Sequence, residues 1–348
     1  MFQRIVVALD GSARAEQVLP VAARLARFSG GSVILLRVVT ATSHTYSGRI
    51  NTLAGTTVEV MPMVVQDAID SEFEEAKSSL EITAKADSLA GIQVETKVLF
   101  GAAVSGILSA THSLQGDILL MCSHGYTGLK RWRLGSVAQK VACHSPIPVL
   151  VLHEDAGLLT NLHPEGIRPV RILVALDGAP LAEEALLPAA QLSAALSAPA
   201  HGALHLARVL PLSVGHEYGQ IDSLAIAREK ALAEVRAYLT MVEQRLSAGE
   251  LAHLHLLVTS SVAVDTDIAG MLLRKAENGE DRNSLVSFNG CDAIAIATHG
   301  RGSFQRIITG SVTERILGVT RLPVLIVRPQ ERKTISKKIR KAVEAALS

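Results

Sequence analysis

One duplication governs what this chain can fold into. Arg4–Gly11 reads RIVVALDG and Arg171–Gly178 reads RILVALDG, identical at seven of eight positions at an offset of 167. Glu16–Pro20 (EQVLP) returns as Glu184–Pro188 (EALLP). Near the end of each half, Ser123–Val151 and Thr298–Ile326 share a His-Gly pair, then an Arg, a Gly-Ser-Val and a Pro-Val-Leu, at an offset of 175. The blocks keep their order, so the chain is a tandem repeat of one supersecondary plan. Its 348 residues suit two domains of ordinary size.

Periodicity supplies the plan. Ile5–Leu9 is a continuous apolar run ending at Asp-Gly, the pattern of a strand buried on both faces. Val18, Val21, Ala22, Leu25, Ala26 and Ser29 fall at helical spacing, and Gly30-Gly31 stops that helix before a strand over Ser32–Val39. A helix from about Gln66 to Leu89 leads to a strand over Val94–Leu99, a short helix over Val104–His112 and a strand over Asp117–Met121. A Gly-rich loop, a helix from Ser136 and a last strand, Val149–Leu152, complete the half. The second half predicts strands near Ile172, Leu204, Leu254, Ala293 and Val324. Strands alternating with helices predict an α/β class of fold, two tandem doubly wound parallel-sheet sandwiches. The expected boundaries are 1–154 for the first domain, 155–169 for a linker, 170–330 for the second domain and 331–348 for a tail. Thr40–Pro62 reads as a surface loop, Asn278–Gly290 as an insertion, and the tail, with six basic and two acidic residues, as a basic amphipathic helix.

Composition excludes several classes of function. Lys plus Arg at 34 against Asp plus Glu at 33 leaves a net charge of +1, which gives no field to hold a nucleic acid, and 3% aromatics offers few stacking platforms. The longest uncharged stretch, Ala185–Ala207, is broken by Pro188, Pro199 and Gly202, so no membrane span is expected. Three cysteines, Cys122, Cys143 and Cys291, are too few for a disulfide scaffold. Together with an opening apolar run too short for a signal peptide, they predict a cytoplasmic protein. Cys122 with His124, and Cys143 with His144, lack zinc spacing, so no metal site is expected from them.

In open parallel sheets, ligands bind beyond the carboxyl ends of the strands, where strand order reverses. Three repeated features fall there. Asp10 and Asp177 close the first strand of each half, placed either to accept bonds from a ribose or base or to cap the helix that follows. After the fourth strand come Cys122-Ser-His-Gly125 and Ala297-Thr-His-Gly300, each followed nine residues later by Gly135-Ser136 or Gly310-Ser311. Glycine permits close backbone approach, and a helix beginning at Gly-Ser presents free N–H groups suited to phosphate oxygens. The recurring His124 and His299 have no evident nucleophile beside them and read as loop hydrogen-bonding residues.

At these residues the chain resembles the universal stress protein family in its tandem form. The family pattern is Gly, two residues, Gly, nine residues, then Gly with Ser or Thr, between an opening strand ending in Asp and a closing Pro-Val-Leu-Val-Val strand like Pro148–Leu152 and Pro323–Val327. The resemblance implies an adenine nucleotide alpha hydrolase-like fold, packed as an internal pseudo-dimer, and a bound adenine nucleotide: ATP, or ADP or AMP, with Mg accompanying ATP. It implies that Asp10 and the backbone of Val38 hold the adenosine, while Gly125, Gly135, Ser136 and Val137 cradle the phosphates. The matching positions are Asp177, Val209, Gly300, Gly310, Ser311 and Val312. One departure stands out: Cys122 and Ala297 occupy the family's first glycine, which is expected to aim a Cβ toward the ribose region. The second half also lacks Gly101, with Ser260-Ser261 expected at that turn.

The expected function is therefore adenine-nucleotide binding in a stress response, acting through ligand-dependent conformation or assembly, including pairing of the halves and a homodimer. The alternatives are an interaction module without nucleotide on the same fold, or a slow ATP hydrolase. No Walker-type Gly-Lys-Ser/Thr is present to favour the last. Lys130, Arg131 and Arg133 in the first phosphate loop, against Arg301 and Arg306 in the second, predict tighter binding by the first half.

Overall fold

The computed structural model describes residues 1–40, 50–51, 57–58, 62–123, 134–153, 169–212, 221–279, 290–298 and 310–329. In the first half, β1 (Arg4–Leu9) leads through a 3-10 turn (Ala15–Val18) to α1 (Leu19–Ser29) and β2 (Ser32–Val39). A two-stranded pair, β3 (Ile50–Asn51) and β4 (Thr57–Val58), precedes α2 (Pro62–Thr83), β5 (Gln93–Phe100) and α3 (Ala103–Ser113). The half closes with β6 (Ile118–Cys122), α4 (Ser136–His144) and β7 (Val149–Leu152). The second half repeats the series as β8 (Arg171–Ala175), α5 (Pro180–Glu183), α6 (Leu186–Ser197), β9 (Ala203–Pro211), α7 (Ile221–Ala248), β10 (Leu257–Asp265), α8 (Ile268–Asn278), β11 (Ala293–Ala297), α9 (Ser311–Val319) and β12 (Val324–Val327). The rest of the expected loop within Thr40–Pro62, most of the insertion and the 331–348 tail lie outside the described residues.

The strands order as β10-β9-β8-β11-β12-β7-β6-β1-β2-β5 in one sheet. Within each half every pairing in this sheet is parallel, and the separate β3–β4 pair is antiparallel. At the junction β12 and β7 run antiparallel, with Val324 opposite Val151, Leu325 opposite Leu150 and Ile326 opposite Val149. A strand with neighbours on both sides and helices on both faces has no polar face, which is why these runs read as unbroken apolar segments. One core layer, built on Ile5, Val7, Leu35, Leu120, Leu150, Ile172, Leu206 and Leu325, continues from one half into the other beneath α1 and α6. There Arg24 donates from Nη2 to the Ala198 carbonyl at 2.6 Å, and beside the seam Arg328 donates from Nη1 to the His144 carbonyl at 3.1 Å. The opposite layer, under α3, α4, α8 and α9, holds Val6, Ile34, Leu119, Val151, Leu173, Ile294 and Val324. No helix among the described residues is long and apolar enough to cross a membrane.

Two strand features differ from expectation: the short β3–β4 pair falls within the segment expected to be loop, and the third strand of the second half is displaced. Leu254 lies in a 3-10 turn, Ala252–Leu254, and the third strand of the second half begins three residues later at Leu257. Ser260 and Ser261 are consequently mid-strand, opposite Leu206 and Ala207, and the turn beyond this strand starts at Asp265. The hydroxyls that suggest a turn serve the interior. The fully buried His205 on β9 lies 3.0 Å from Thr259 Oγ1 through Nδ1 and 2.8 Å from Ser261 Oγ through Nε2.

Cys291, just before β11, is buried, and dehydration of its thiol pushes the pKa up to about 12, with Arg171 pulling it back and Asp292 adding to the rise. An unfolded thiol ionises near ~8.5, so the stability this site contributes is complete below that value and is lost as pH climbs toward the folded value. At pH 8.5 iodoacetamide is expected to label the half-exposed Cys143 well before Cys291 in the native protein. Equal labelling rates measured by peptide mass spectrometry contradict this.

Candidate functional site

In each half the strand order reverses at one place: between β1 and β6 in the first, between β8 and β11 in the second. Asp10 and Asp177 follow the strands on one side of these crevices, and the Gly-Ser helix starts follow the strands on the other.

Both aspartates are held by the turns they begin. Asp10 Oδ1 accepts from the Ser12 amide at 3.0 Å and from Ser12 Oγ at 2.7 Å, and Asp177 Oδ1 accepts from the Ala179 amide at 2.8 Å. Neither aspartate caps the helix that follows, whose N-cap residues are Arg14 in the first half and Ala179 in the second; each closes a short turn instead, which fixes the carboxylate at the rim of the sheet. Gly11 (φ +87°) and Gly178 (φ +80°) then take the left-handed conformation that glycine adopts without a Cβ clash. Beside them Val38 sits in register with Leu99, and Val209 with Ala263, near the ends of β2 and β9. The Val38 side chain is turned under α3, where a Cβ on Gly106 would come within 3.0 Å of its Cγ1.

The helix starts superpose in conformation as well as in sequence. Gly135 (φ −59°, ψ 150°) and Gly310 (φ −57°, ψ 143°) are the N-cap residues of α4 and α9, and neither supplies a capping side chain. Each is tied back by the same bond: the Gly135 amide donates to the Ser123 carbonyl at 2.7 Å, and the Gly310 amide to the Thr298 carbonyl at 3.0 Å. The next N–H groups, from Ser136 and Val137 or Ser311 and Val312, belong to a first turn that has no intrahelical acceptors. Ser136 and Ser311 are exposed, while Val137 and Val312 anchor the helices on the core layer below. The N-cap torsions are open to any residue, so the glycines are not there for backbone strain. Among the described residues, a Cβ on Gly310 would meet only the Thr298 carbonyl at 3.4 Å and Thr313 Oγ1 at 3.9 Å, so these leave room for a methyl group.

Cys122 departs from the expected orientation. Its side chain is buried under the 3-10 turn, with Sγ donating to the Arg14 carbonyl at 3.1 Å, so the thiol does not enter the crevice. As the last residue of β6 it shares the face of Ile118 and Leu120, which the alternation of a strand requires. Ala297 is likewise buried at the end of β11. Gly125, Gly300, His124, His299, Lys130, Arg131, Arg133, Arg301 and Arg306 lie outside the described residues.

Two features had no counterpart in the sequence reading. Arg37 and Arg208, equivalent residues of β2 and β9, lay their guanidinium groups against Gly11 and Gly178. Both precede a valine near the strand end, a recurrence at an offset of 171 that is visible in the sequence. The second is a pair of carboxylates confined to the second half. Asp265 ends β10 and pairs with Arg274 at 2.7 Å; Asp267 caps α8 by accepting from the Gly270 amide at 2.9 Å and pairs with Arg315 at 2.8 Å. At the corresponding place the first half has Gly101 and Ala102.

The architecture is thus that of a tandem doubly wound α/β protein, with a switch-point crevice in each half. Residues 1–153 and 170–328 each match the universal stress protein family, and the chain belongs to that family in its tandem form. A universal stress protein of Mycolicibacterium smegmatis is 23% identical over 331 residues, spanning 94% of this chain and 97% of its own. Universal stress protein YxiE of Bacillus subtilis is 30% identical over 158 residues, which is 44% of this chain and 99% of YxiE. Among solved structures, a universal stress protein from Archaeoglobus fulgidus superposes with a TM-score of 0.59 at 20% identity, covering 94% of this chain and 98% of its own, a likeness of fold.

Proposed function

We propose that the protein binds an adenine nucleotide, ATP in the first instance, and that occupancy biases its conformation or assembly in a stress response. The observation that carries this reading is the repeated pairing of a rim carboxylate with an uncapped Gly-Ser helix start across the strand-order reversal, once per half. The carboxylate suits ribose hydroxyls, and the helix start suits phosphate oxygens. The burial of the Cys122 thiol away from the crevice supports it too, because the residue that departs from the family's glycine does not fill the space. Asp10, Val38, Gly125, Gly135, Ser136 and Val137 would form the first site, and Asp177, Val209, Gly300, Gly310, Ser311 and Val312 the second. Magnesium would be held by the phosphates and water, since no group of three potential metal ligands occurs among the described residues. In this reading the working units are residues 1–154 and 170–330, and they act as an internal pair joined at β7 and β12.

The room beside Gly310 makes a clean test. Gly310→Ala is expected to change stability by less than about 0.5 kcal/mol, while its methyl group obstructs the approach of phosphate and removes one of two ATP-binding events. Calorimetric titration with ATP, run beside thermal denaturation, reads both quantities. Wild-type protein that shows no heat with ATP, and carries no nucleotide on mass spectrometry after purification, overturns the proposal. A variant that binds two equivalents of ATP like wild type rejects the second site.

A further inference from the structure

The duplicated arginines behave differently in the two halves. Arg208 is 8% exposed, and its guanidinium carbon lies 5.3 Å from the centre of the Tyr238 ring. The Tyr238 hydroxyl donates to Glu183 Oε1 at 2.9 Å, and Glu183 also pairs with Arg245. Burial, and then the bond to Glu183, raise the Tyr238 pKa, which keeps the phenol a neutral donor. Arg208 is thereby built into the interior, and α7 supplies its cover.

Arg37 has no such enclosure. It is half-buried on β2, opposite Leu9, and its guanidinium lies within 2.8 Å of the position a Cβ would take on Gly11. Among the described residues its side chain forms no hydrogen bond, ion pair or ring contact, although Asp10 is the residue before that glycine. On the same face of the neighbouring strand Phe100 is 48% exposed, in register with Val39, where the second half has Val264. A partly desolvated guanidinium without an anion is a poor arrangement for stability alone, because it gives up hydration and gains no charge-assisted bond.

We propose that Arg37 binds a phosphate group of the nucleotide at the ribose end of the first crevice, which makes it a specificity-determining residue that the second half does not duplicate. The inference rests on the nucleotide reading above and assigns one anionic contact within it. The planar fork of an arginine suits a phosphate, and the Gly11 position leaves it the space to lie there. The shared chemistry is a phosphate monoester or diester, carried either on the 5′ oxygen or on the ribose ring.

Titration calorimetry on the full chain, using adenosine, 5′-AMP and adenosine 3′,5′-bisphosphate, tests the assignment with Arg37→Gln, Arg37→Lys and Arg208→Gln. Arg37→Gln is expected to weaken a phosphate-bearing ligand about tenfold and adenosine less than twofold, with Arg37→Lys in between. Equal losses for 5′-AMP and the bisphosphate locate the contact at the 5′-phosphate, and a loss for the bisphosphate alone locates it on the ribose. Arg208→Gln is expected to lower the thermal midpoint and leave first-site affinities in place. Uniform weakening of all three ligands, or no weakening in either Arg37 variant, overturns the assignment while the nucleotide reading stands. Wild-type protein that binds none of the three overturns both.

Discussion

Val151→Asp should lower stability by about 4 kcal/mol and open the seam between the halves. Val151 is fully buried, sits opposite Val324 across the antiparallel junction, and packs in the layer that also holds Leu173 and Ile294. A carboxylate there has neither a cationic partner nor water, and an uncompensated buried charge falls among the few mechanisms that cost this much. The introduced group would keep its proton in the folded protein, so its folded pKa lies above the unfolded value near ~3.9. The penalty is therefore smallest below that value and grows as pH rises through it toward neutrality. Urea denaturation at pH 4 and pH 7 reads this dependence, and small-angle scattering reads whether the halves separate. A loss under about 1 kcal/mol at pH 7 would show that the seam is not a buried junction.

Gly178→Ala should cost about 3 kcal/mol, more than the same change at Gly11. Both residues have positive φ, which charges an alanine roughly 1 to 2 kcal/mol for the left-handed conformation. The difference lies in what the new methyl group meets. At Gly178 it collides with the Arg208 guanidinium, which is buried and stacked on Tyr238, so relief means dismantling packed structure. At Gly11 it meets Arg37, a half-buried side chain with no partner to surrender among the described residues, and that guanidinium can swing away. Thermal denaturation of the two single variants decides the order. Equal losses, or a larger one at Gly11, would contradict the enclosure of Arg208.

The strands were the most legible part of the chain, because a strand covered on both faces shows its burial as an unbroken run such as ILLMC or AIAIA. The one misplaced strand, β10, fails this rule for a physical reason. Its centre carries Thr259, Ser260 and Ser261, and two of those hydroxyls satisfy a histidine buried in the sheet. A polar pattern set by an internal partner looks the same in sequence as one set by solvent. At the site, the glycines and aspartates could be found from spacing, since the backbone features they serve are local. Arg37 and Arg208 could not, because their relation to Gly11 and Gly178 crosses from one strand to the next. The contact that buries the Cys122 thiol was likewise hidden, because its acceptor, Arg14, lies 108 residues away in sequence.

The antiparallel junction has a consequence for how two occupied crevices could influence each other. Because the half-sheets run in opposite directions from β7 and β12, their carboxyl ends face opposite rims of the ten-stranded sheet. Four strand spacings separate the two reversal points, roughly 19 Å along the sheet before the difference in rim is added. A molecule placed at one rim therefore does not, by position alone, cover the crevice at the other. The strip β6, β7, β12 and β11 joins the inner edges of the two crevices, and the core layer beneath α1 and α6 runs alongside it, so these are the physical links through which one half can bias the other.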